Sequence, residues 1–325
     1  MIDLQEYRNE FEKFSQNQTF SQGPDNLNAP IRYIMGIPGK RIRPVLCLMA
    51  TRFFGGDLSE TLPIAYAVEL FHNFSLVHDD IMDEAPLRRG FETVHLKYGL
   101  NSGILSGDAM QIYVYDYILN AGFSMEVTQS LLRTFTKTAI EVCEGQQMDI
   151  DFEKEDDVTE KAYLEMIDKK TAALLWASLS MGSIPFVEKE KADTLGKFGR
   201  NLGMAFQLRD DYLDTFGSSE HIGKQVGGDI IQGKKTLLYI WTLSQLEPAE
   251  SSWLKKIYSE NALPDDQKVQ QVKDLFIKYG ADKEILARIA AFERQSEENL
   301  LELEREGFDT RGFSQLSDYL MNRVS

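Results

Sequence analysis

The 325-residue chain is 43% apolar and 26% charged, so a protein of ordinary polarity can bury a sizeable core. Its net charge of −16 argues against a nucleic-acid-binding protein, because such proteins carry a basic face. We expect a cytoplasmic protein without a transmembrane segment. No long apolar run or signal peptide is visible, and the two cysteines, Cys47 and Cys143, are far apart.

Apolar residues recur at helical spacing along most of the chain, over lengths too great for strands. The first predicted helices are Pro44–Phe54, Leu62–Val77, Gly103–Ala121, Val127–Met148, Thr159–Met181 and Lys189–Phe216. Those of the C-terminal part are Lys234–Leu246, Ser252–Ile257, Asp266–Tyr279, Asp282–Glu304 and Gly312–Asn322. No alternating strand is visible, and the acid-rich Asp149–Asp157 is most simply a solvated loop. The pattern predicts a single all-α domain over residues 1–325.

The motif Asp-Asp-x-x-Asp occurs twice, each time at the end of a long apolar helical pattern. The first copy has Asp79, Asp80 and Asp83, and the second has Asp210, Asp211 and Asp214. Helical positions i and i+4 share a face, so the first and last aspartates of each copy project together. Such carboxylates suit Mg²⁺, which binds one or two of them together with substrate phosphates. One copy alone could be a solvated helix end, but two copies favour a metal site.

Four short segments carry an unusual number of basic residues. They are Gly39-Lys40-Arg41-Ile42-Arg43-Pro44, Arg88-Arg89-Gly90, Lys169-Lys170-Thr171 and the glycine-containing stretch from Gly223 to Thr236. Arginine makes forked contacts with phosphate oxygens, and lysine supplies a point charge. Each segment alone could be a surface salt bridge or a helix-end charge. Together they favour two phosphate-bearing substrates, one bridged by Mg²⁺ and one held by cations alone.

In this order, the motifs resemble those of the trans-isoprenyl diphosphate synthases (polyprenyl synthetases), of the short-chain type that makes geranylgeranyl or farnesyl diphosphate. The resemblance runs from about Gly39 to Thr236 and includes Gly203–Asp214, which reads GMAFQLRDDYLD. It implies an all-α bundle around a deep central cavity, usually in a homodimer. It also implies a Mg²⁺-dependent prenyltransferase that joins isopentenyl diphosphate head to tail to an allylic diphosphate by ionisation, condensation and elimination.

The resemblance further implies a role for each matching residue. The six aspartates would bind about three Mg²⁺ ions that hold the allylic diphosphate. The basic residues expected to contact the same diphosphate are Arg88, Lys170, Lys224 and Lys234. Those expected to hold isopentenyl diphosphate are Lys40, Arg43, His72 and Arg89. The residues expected beside the C–O bond that breaks are Lys170, Thr171 and Gln207.

The family sets product length with the pocket below the first aspartate cluster. Phe74 and Ser75 lie five and four residues before Asp79, and Phe71 lies on an adjacent helical stripe. A large side chain at the position of Phe74 resembles short-chain enzymes. We therefore expect a C15 to C20 product, with C20 favoured because Ser75 is small. Phe74 could instead be ordinary core packing, which leaves a longer-chain polyprenyl diphosphate synthase open.

Two other classes of protein share part of the pattern. Class I terpene cyclases and head-to-head condensing enzymes have the fold and one aspartate cluster. Cyclases usually carry a second cluster of the Asn/Ser/Glu type, and they do not need the segment GKRIRP. Non-catalytic partner subunits typically lose acids from the two clusters, whereas all six are present in this chain. The sequence therefore favours the synthase over both.

Overall fold

Helices make up most of the computed structural model, which describes residues 4–217, 227–259 and 263–321. The first helices are Leu4–Gln16 (α1), Asp25–Gly36 (α2), Ile42–Phe53 (α3), Leu58–Met82 (α4), Val94–Tyr98 (α5), Leu100–Leu119 (α6), Met125–Lys154 (α7), Glu160–Ile167 (α8), Ala173–Ser183 (α9) and Lys189–Phe216 (α10). The later ones are Gly228–Gln232 (α11), Leu237–Gln245 (α12), Pro248–Ser259 (α13), Asp265–Lys278 (α14), Ala281–Arg305 (α15) and Arg311–Met321 (α16). The all-α prediction is confirmed.

One hairpin interrupts this helical pattern. Its strands, Leu87–Arg88 (β1) and Phe91–Glu92 (β2), pair antiparallel and form the only sheet in the described ranges. The expectation of no strand is therefore wrong at this point, because two-residue strands are too short to show alternation. No helix in those ranges combines the length and the apolar composition needed to cross a bilayer.

The chain divides into two compact units, Met1–Lys137 with Ala177–Gly196, and Thr138–Trp176 with Lys197–Ser325. In the first unit, α4 packs against α3 and α6. Asp57 fixes where α4 begins, because its carboxylate accepts from the Ser59 amide and Glu60 completes a capping box. The helix then runs for 25 residues through many buried side chains. Packing of this long apolar helix determines where its last turn, with the first aspartates, lies.

In the second unit, α12 packs against α15, and the largest buried side chains include Tyr239 and Phe276. Between α8 and α9, residues Asp168–Ala172 form a π turn, in which the Ala173 amide bonds to the Asp168 carbonyl. The helix predicted over Thr159–Met181 is present as α8, this turn and α9, but apolar spacing does not reveal the extra residue that a π turn inserts.

Two other parts of the chain differ from what the sequence pattern indicates. The N-terminal helices α1 and α2 are not predicted, and α1 shows why, since Tyr7 and Phe11 are its only buried residues. So few apolar positions do not make a recognisable pattern. The acid-rich Asp149–Asp157 is not a loop throughout, because α7 continues to Lys154.

Candidate active site

The first aspartate cluster lies at the C-terminal end of α4. Asp79 and Asp80 are in its last turn, and the amide of Asp83 caps it with a 2.9 Å bond to the Asp79 carbonyl. Asp80 is 1% exposed, whereas Asp83 faces solvent. Burial raises the pKa of Asp80, although the guanidinium of Arg88 opposes the shift. One helical turn therefore carries carboxylates that range from buried to exposed.

The β-hairpin returns Arg88 to this cluster. Arg89 and Gly90, at the centre of its turn, have φ values of 54° and 80°, and a two-residue hairpin turn of type I′ needs such positive values. Arg88 donates to Asp80 from Nε at 2.8 Å and from Nη2 at 2.6 Å, and its Nη2 lies 3.6 Å from Asp79. The predicted phosphate ligand and the predicted metal ligand are thus brought together as a charge-assisted pair.

The same turn contacts the loop before α3. A Cβ at Gly39 would lie only 2.3 Å from Nη1 of Arg89, so a larger residue here would displace the Arg89 side chain. Lys40 follows and is exposed, while Nη1 of the partly buried Arg43 lies 3.1 Å from Nε2 of His72. We call these four predicted isopentenyl diphosphate ligands, Lys40, Arg43, His72 and Arg89, the basic patch. Three of them, Arg43, His72 and Arg89, interact directly or through their charges.

His72 is neutral within the basic patch. Burial lowers its pKa well below the usual value, and the charges of Arg43 and Arg89 lower it further. Because Arg43 can only donate, Nε2 of His72 accepts, and its proton is on Nδ1. Burial also lowers the pKa of Arg43 to about 10, which leaves it charged at neutral pH. The patch offers a neutral N–H donor beside fixed cations, which suits a phosphate.

Phe74 belongs to a column of aromatic side chains in the first unit. It is 7% exposed, and its ring centroid lies 5.4 Å from that of Phe71 and 4.8 Å from that of His78. Phe71 packs edge-on against Phe135 at 5.2 Å. The Ser75 hydroxyl donates to the backbone carbonyl three residues earlier, at 2.8 Å. The two phenylalanines predicted to set product length are in contact, and Phe135 supports them from another helix.

The second aspartate cluster lies in the last two turns of α10, where hydrogen bonds hold its buried member, Asp211, which is 5% exposed. Gln207 Nε2 donates to Oδ1 of Asp211 at 3.1 Å, and the Tyr163 hydroxyl donates to Oδ2. The Thr171 hydroxyl donates to Oε1 of Gln207 at 3.0 Å, which fixes the orientation of the amide. Predicted catalytic and metal-binding residues thus form one hydrogen-bonded chain.

The carboxylates of this second cluster fit a hard divalent cation. Burial and the carboxylate of Asp229 raise the pKa of Asp211 to about 8, although the hydrogen bonds from Tyr163 and Gln207 oppose the shift. The Asp229 amide holds Oδ2 of Asp214 at 2.9 Å. Within residues 4–217, 227–259 and 263–321, no group of three His, Cys, Asp or Glu side chains could hold a metal ion unaided.

Two glycines enclose the π turn that carries Lys170 and Thr171. A Cβ at Gly145 of α7 would lie 2.4 Å from the Lys170 amide nitrogen, and one at Gly203 of α10 would lie 2.8 Å from the Ala172 Cα. Both neighbours are backbone atoms, so neither helix can approach the turn with a larger residue. No sequence pattern predicts a role for these glycines, and only their place opposite a π turn identifies them.

Lysines near the π turn have different partners. Lys170 Nζ donates to Oδ2 of Asp149 at 2.5 Å, so an acid predicted to be solvated is a partner of a predicted catalytic residue. Lys235 Nζ donates to backbone carbonyls at the end of α7, at 2.7 Å to Phe152 and 3.2 Å to Glu153. Lys224 lies outside the described residues.

Sequence spacing could have revealed Tyr163, which lies seven residues before Lys170 on the same helical face.

These side chains of the second unit line one cavity of about 120 Å³. Its wall contains cationic, carboxylate and hydroxyl groups, and those that bear on the chemistry are Asp149, Tyr163, Lys170, Thr171, Gln207, Asp211, Asp229 and Lys234. Four of the sequence-predicted residues, Lys170, Thr171, Gln207 and Asp211, are in direct contact with others of this set. The cavity can bind an anion and, with its carboxylates, a divalent cation.

The fold and these groups define an all-helical protein with aspartates at two helix ends and cations suited to phosphates. A sequence model of the family described as "Polyprenyl synthetase" matches residues 24–276, and the chain belongs to this family. It is 35% identical to a short chain isoprenyl diphosphate synthase of Methanothermobacter thermautotrophicus over 92% of this chain and 91% of that one. It is 36% identical to a geranylfarnesyl diphosphate synthase of Natronomonas pharaonis, over 69% and 71% of the two chains. A crystal structure of a geranylgeranyl pyrophosphate synthase superposes with a TM-score of 0.92, at 40% identity and complete coverage of both chains.

Proposed function

We propose that the protein condenses isopentenyl diphosphate head to tail with an allylic diphosphate, with Mg²⁺, as a trans-prenyltransferase. The observation that carries this proposal is that the first unit holds two different groups, one suited to a divalent cation that bridges to a phosphate and one suited to a phosphate directly. One combines Asp79, Asp80 and Arg88, and the other is the basic patch, which has cations and a neutral donor. In a chain with a net charge of −16, this separation favours two diphosphates held in two ways.

Each group then has a defined task. The six aspartates would hold about three Mg²⁺ ions, which when bound neutralise charge on the departing diphosphate. The cations that would contact this diphosphate are Arg88, Lys170, Lys224 and Lys234. The basic patch would hold isopentenyl diphosphate through its phosphates. We propose that the 325 residues act as one domain in the cytoplasm.

The chemistry breaks one C–O bond and forms one C–C bond. The electron pair of the C–O bond leaves with the diphosphate, and the allylic carbon becomes positively charged. Thr171 and Gln207 present oxygen atoms 3.0 Å apart in the cavity wall, and their dipoles would stabilise this charge. The double bond of isopentenyl diphosphate then attacks the cation, and loss of one proton restores a double bond. The departing diphosphate, which takes the electron pair of the C–O bond, would accept this proton.

The product is proposed to contain 15 to 20 carbons, with C20 favoured. The aromatic column supports this length, because Phe71, Phe74 and Phe135 pack together as a rigid group below the first aspartates. The small Ser75 beside them favours the longer of the two products. A relative named for geranylgeranyl diphosphate falls at the upper end of this range, and one named for geranylfarnesyl diphosphate lies one five-carbon unit above it.

We also propose a homodimer. On α6, Leu105, Ile112 and Leu119 recur every seven residues and are 58%, 67% and 59% exposed. An apolar stripe along one helix is typical of a surface that packs against another copy. Light scattering of purified protein should give twice the chain mass, and Ile112→Lys should give the monomer mass. Ile277→Lys, at an isoleucine 50% exposed elsewhere, should remain dimeric.

Product analysis tests the reaction. The protein is incubated with Mg²⁺, labelled isopentenyl diphosphate and dimethylallyl, geranyl or farnesyl diphosphate, and the products are dephosphorylated and sized. Alcohols that end at C15 or C20 support the proposal. Their formation should be abolished by EDTA and by Asp211→Asn. The control Asp193→Asn should still form them. Alcohols of C30 or longer would retain the chemistry and refute the length. A cyclic hydrocarbon or no turnover would favour the cyclase or the partner subunit.

A further inference from the structure

Arg41 is the one basic residue of the segment Gly39–Pro44 that the proposed substrate contacts do not use. Its side chain points into the protein, where it is 4% exposed, whereas Lys40 before it is exposed. A buried guanidinium needs compensation for the water it loses. Its neighbours in the first unit provide that compensation, and they show which parts of the unit it connects.

The contacts of Arg41 engage all three nitrogens of its guanidinium, through four of its five N–H groups. Nε donates to Glu12 at 2.8 Å, and Nη1 donates to Glu69 at 2.9 Å. Nη2 donates to two backbone carbonyls of the preceding segment, Met35 at 2.7 Å and Ile37 at 3.2 Å. Because these partners come from α1, α4 and the end of α2, one side chain ties three parts of the unit to the loop.

The backbone of Arg41 is also unusual. Its φ is 51° and its ψ is 38°, which lie in the left-handed region. Residues other than glycine, asparagine and aspartate rarely adopt this backbone conformation. Arg41 is the N-cap of α3, although its side chain makes no capping bond to that helix. The left-handed backbone conformation therefore costs free energy that no capping bond of Arg41 compensates. The contacts of the guanidinium hold the turn in place.

The turn sets the position of the basic patch. Lys40 precedes it, and Arg43 lies in the first turn of α3, where it meets His72 at 3.1 Å. Glu69, which is 2% exposed, lies on α4 two positions before Phe71 and is the buried acid whose charge acts on Arg41, Arg43 and Arg89 together. A shift of this anchor would move both substrate-facing cations relative to His72.

We infer that Arg41 is a positioning residue for isopentenyl diphosphate, and that with Glu69 it fixes the geometry in which Lys40 and Arg43 meet the second substrate. The inference rests on the proposed role of the basic patch. Arg41 itself does not touch substrate.

Steady-state kinetics with each substrate varied in turn tests the inference. Arg41→Lys keeps a charge without the planar fork, and Arg41→Gly relieves the backbone turn but removes the anchor. Each should raise KM for isopentenyl diphosphate about tenfold or more, as expected for a misplacement of somewhat less than 1 Å, and leave KM for the allylic diphosphate within about twofold. Calorimetric binding of isopentenyl diphosphate alone should weaken in parallel. Arg52→Lys is the matched control, since this exposed arginine of α3 pairs with Glu6 at 3.7 Å.

The outcomes separate three explanations. A purely structural role would lower the amount of active enzyme and so kcat, with both KM values unchanged, and this result overturns the inference. If Arg41 variants do not fold, Glu69→Gln and Glu12→Gln decide, because each removes one charge and keeps an acceptor; an unchanged KM in both overturns it. Lys40→Ala and Arg43→Ala test the patch itself. If Lys40→Ala and Arg43→Ala leave KM for isopentenyl diphosphate unchanged, the proposed function of the patch fails. If these two variants raise that KM but the Arg41 variants do not, only the inference about Arg41 fails.

Discussion

Gly145→Ala should damage catalysis more than stability. The new Cβ would lie 2.4 Å from the Lys170 amide nitrogen, whereas ordinary contact begins at 3.4 Å, so α7 and the π turn must separate by about 1 Å. Overpacking of this kind costs about 1–3 kcal/mol, and alanine returns about 1 kcal/mol through its better helix propensity. The net loss of stability is therefore about 0–2 kcal/mol. A displacement of about 1 Å at a catalytic residue, however, can lower the rate about 100-fold.

The assay measures kcat for condensation at saturating Mg²⁺ and both substrates, together with the unfolding free energy in urea. Gly36→Ala is the matched control, because no atom lies within 4 Å of a Cβ built at this helical position. It should leave kcat unchanged and should not lower stability. The reasoning is refuted if Gly145→Ala remains folded and keeps kcat within about threefold of the parent, since a shift of about 1 Å should cost far more.

Three other changes have defined outcomes. Phe74→Ala should lengthen the product by at least one five-carbon unit, measured by sizing the dephosphorylated alcohols, because it shortens the aromatic column. Tyr163→Phe removes a donor to Asp211 and should raise the Mg²⁺ concentration for half-maximal rate about tenfold, with weaker Mn²⁺ binding by electron paramagnetic resonance. Burial lowers the His72 pKa, so the folded state binds fewer protons than the unfolded state and stability falls as pH drops below about 6.5. His72→Gln can still accept from Arg43 and should flatten this loss, measured by thermal unfolding between pH 7.5 and 5.

Each of these predictions has a result that contradicts it. An unchanged product distribution in Phe74→Ala would mean that Phe74 is ordinary core packing. Tyr239→Phe, at another buried tyrosine of the second unit, is the control for Tyr163→Phe, and equal Mg²⁺ requirements in the two would exclude a specific contact with Asp211. If His72→Gln loses stability in acid as steeply as the parent, another group titrates.

The sequence predicted the all-α class because apolar spacing persists over long segments such as α10. It also identified the residues that the structure brings together, for example Arg43 with His72 and Thr171 with Gln207. The residues lie together because the motifs combine residue types whose chemistry is specific, while their roles in binding and catalysis stay predictions.

Other features depend on packing that no local pattern records. Gly145 looks like an unfavourable residue inside a helix, and its reason is the backbone of Lys170. Arg41 looks like a third phosphate ligand, and the structure turns it inward onto Glu69. In both cases the partner lies more than twenty residues away in the chain. Only the folded structure identifies such a partner.

The two adjacent lysines of the segment Gly233–Thr236 have different contacts. The ammonium of Lys235 donates to three backbone carbonyl oxygens at the end of α7, those of Phe152, Glu153 and Glu155. Its three N–H groups are arranged tetrahedrally and match these three acceptors. Arginine has a planar fork and cannot reproduce that geometry. The end of α7 is thereby tied to the residue next to Lys234, which lines the cavity. The identity of position 235 is therefore a requirement of helix termination, and a second phosphate contact is not needed to explain the pair.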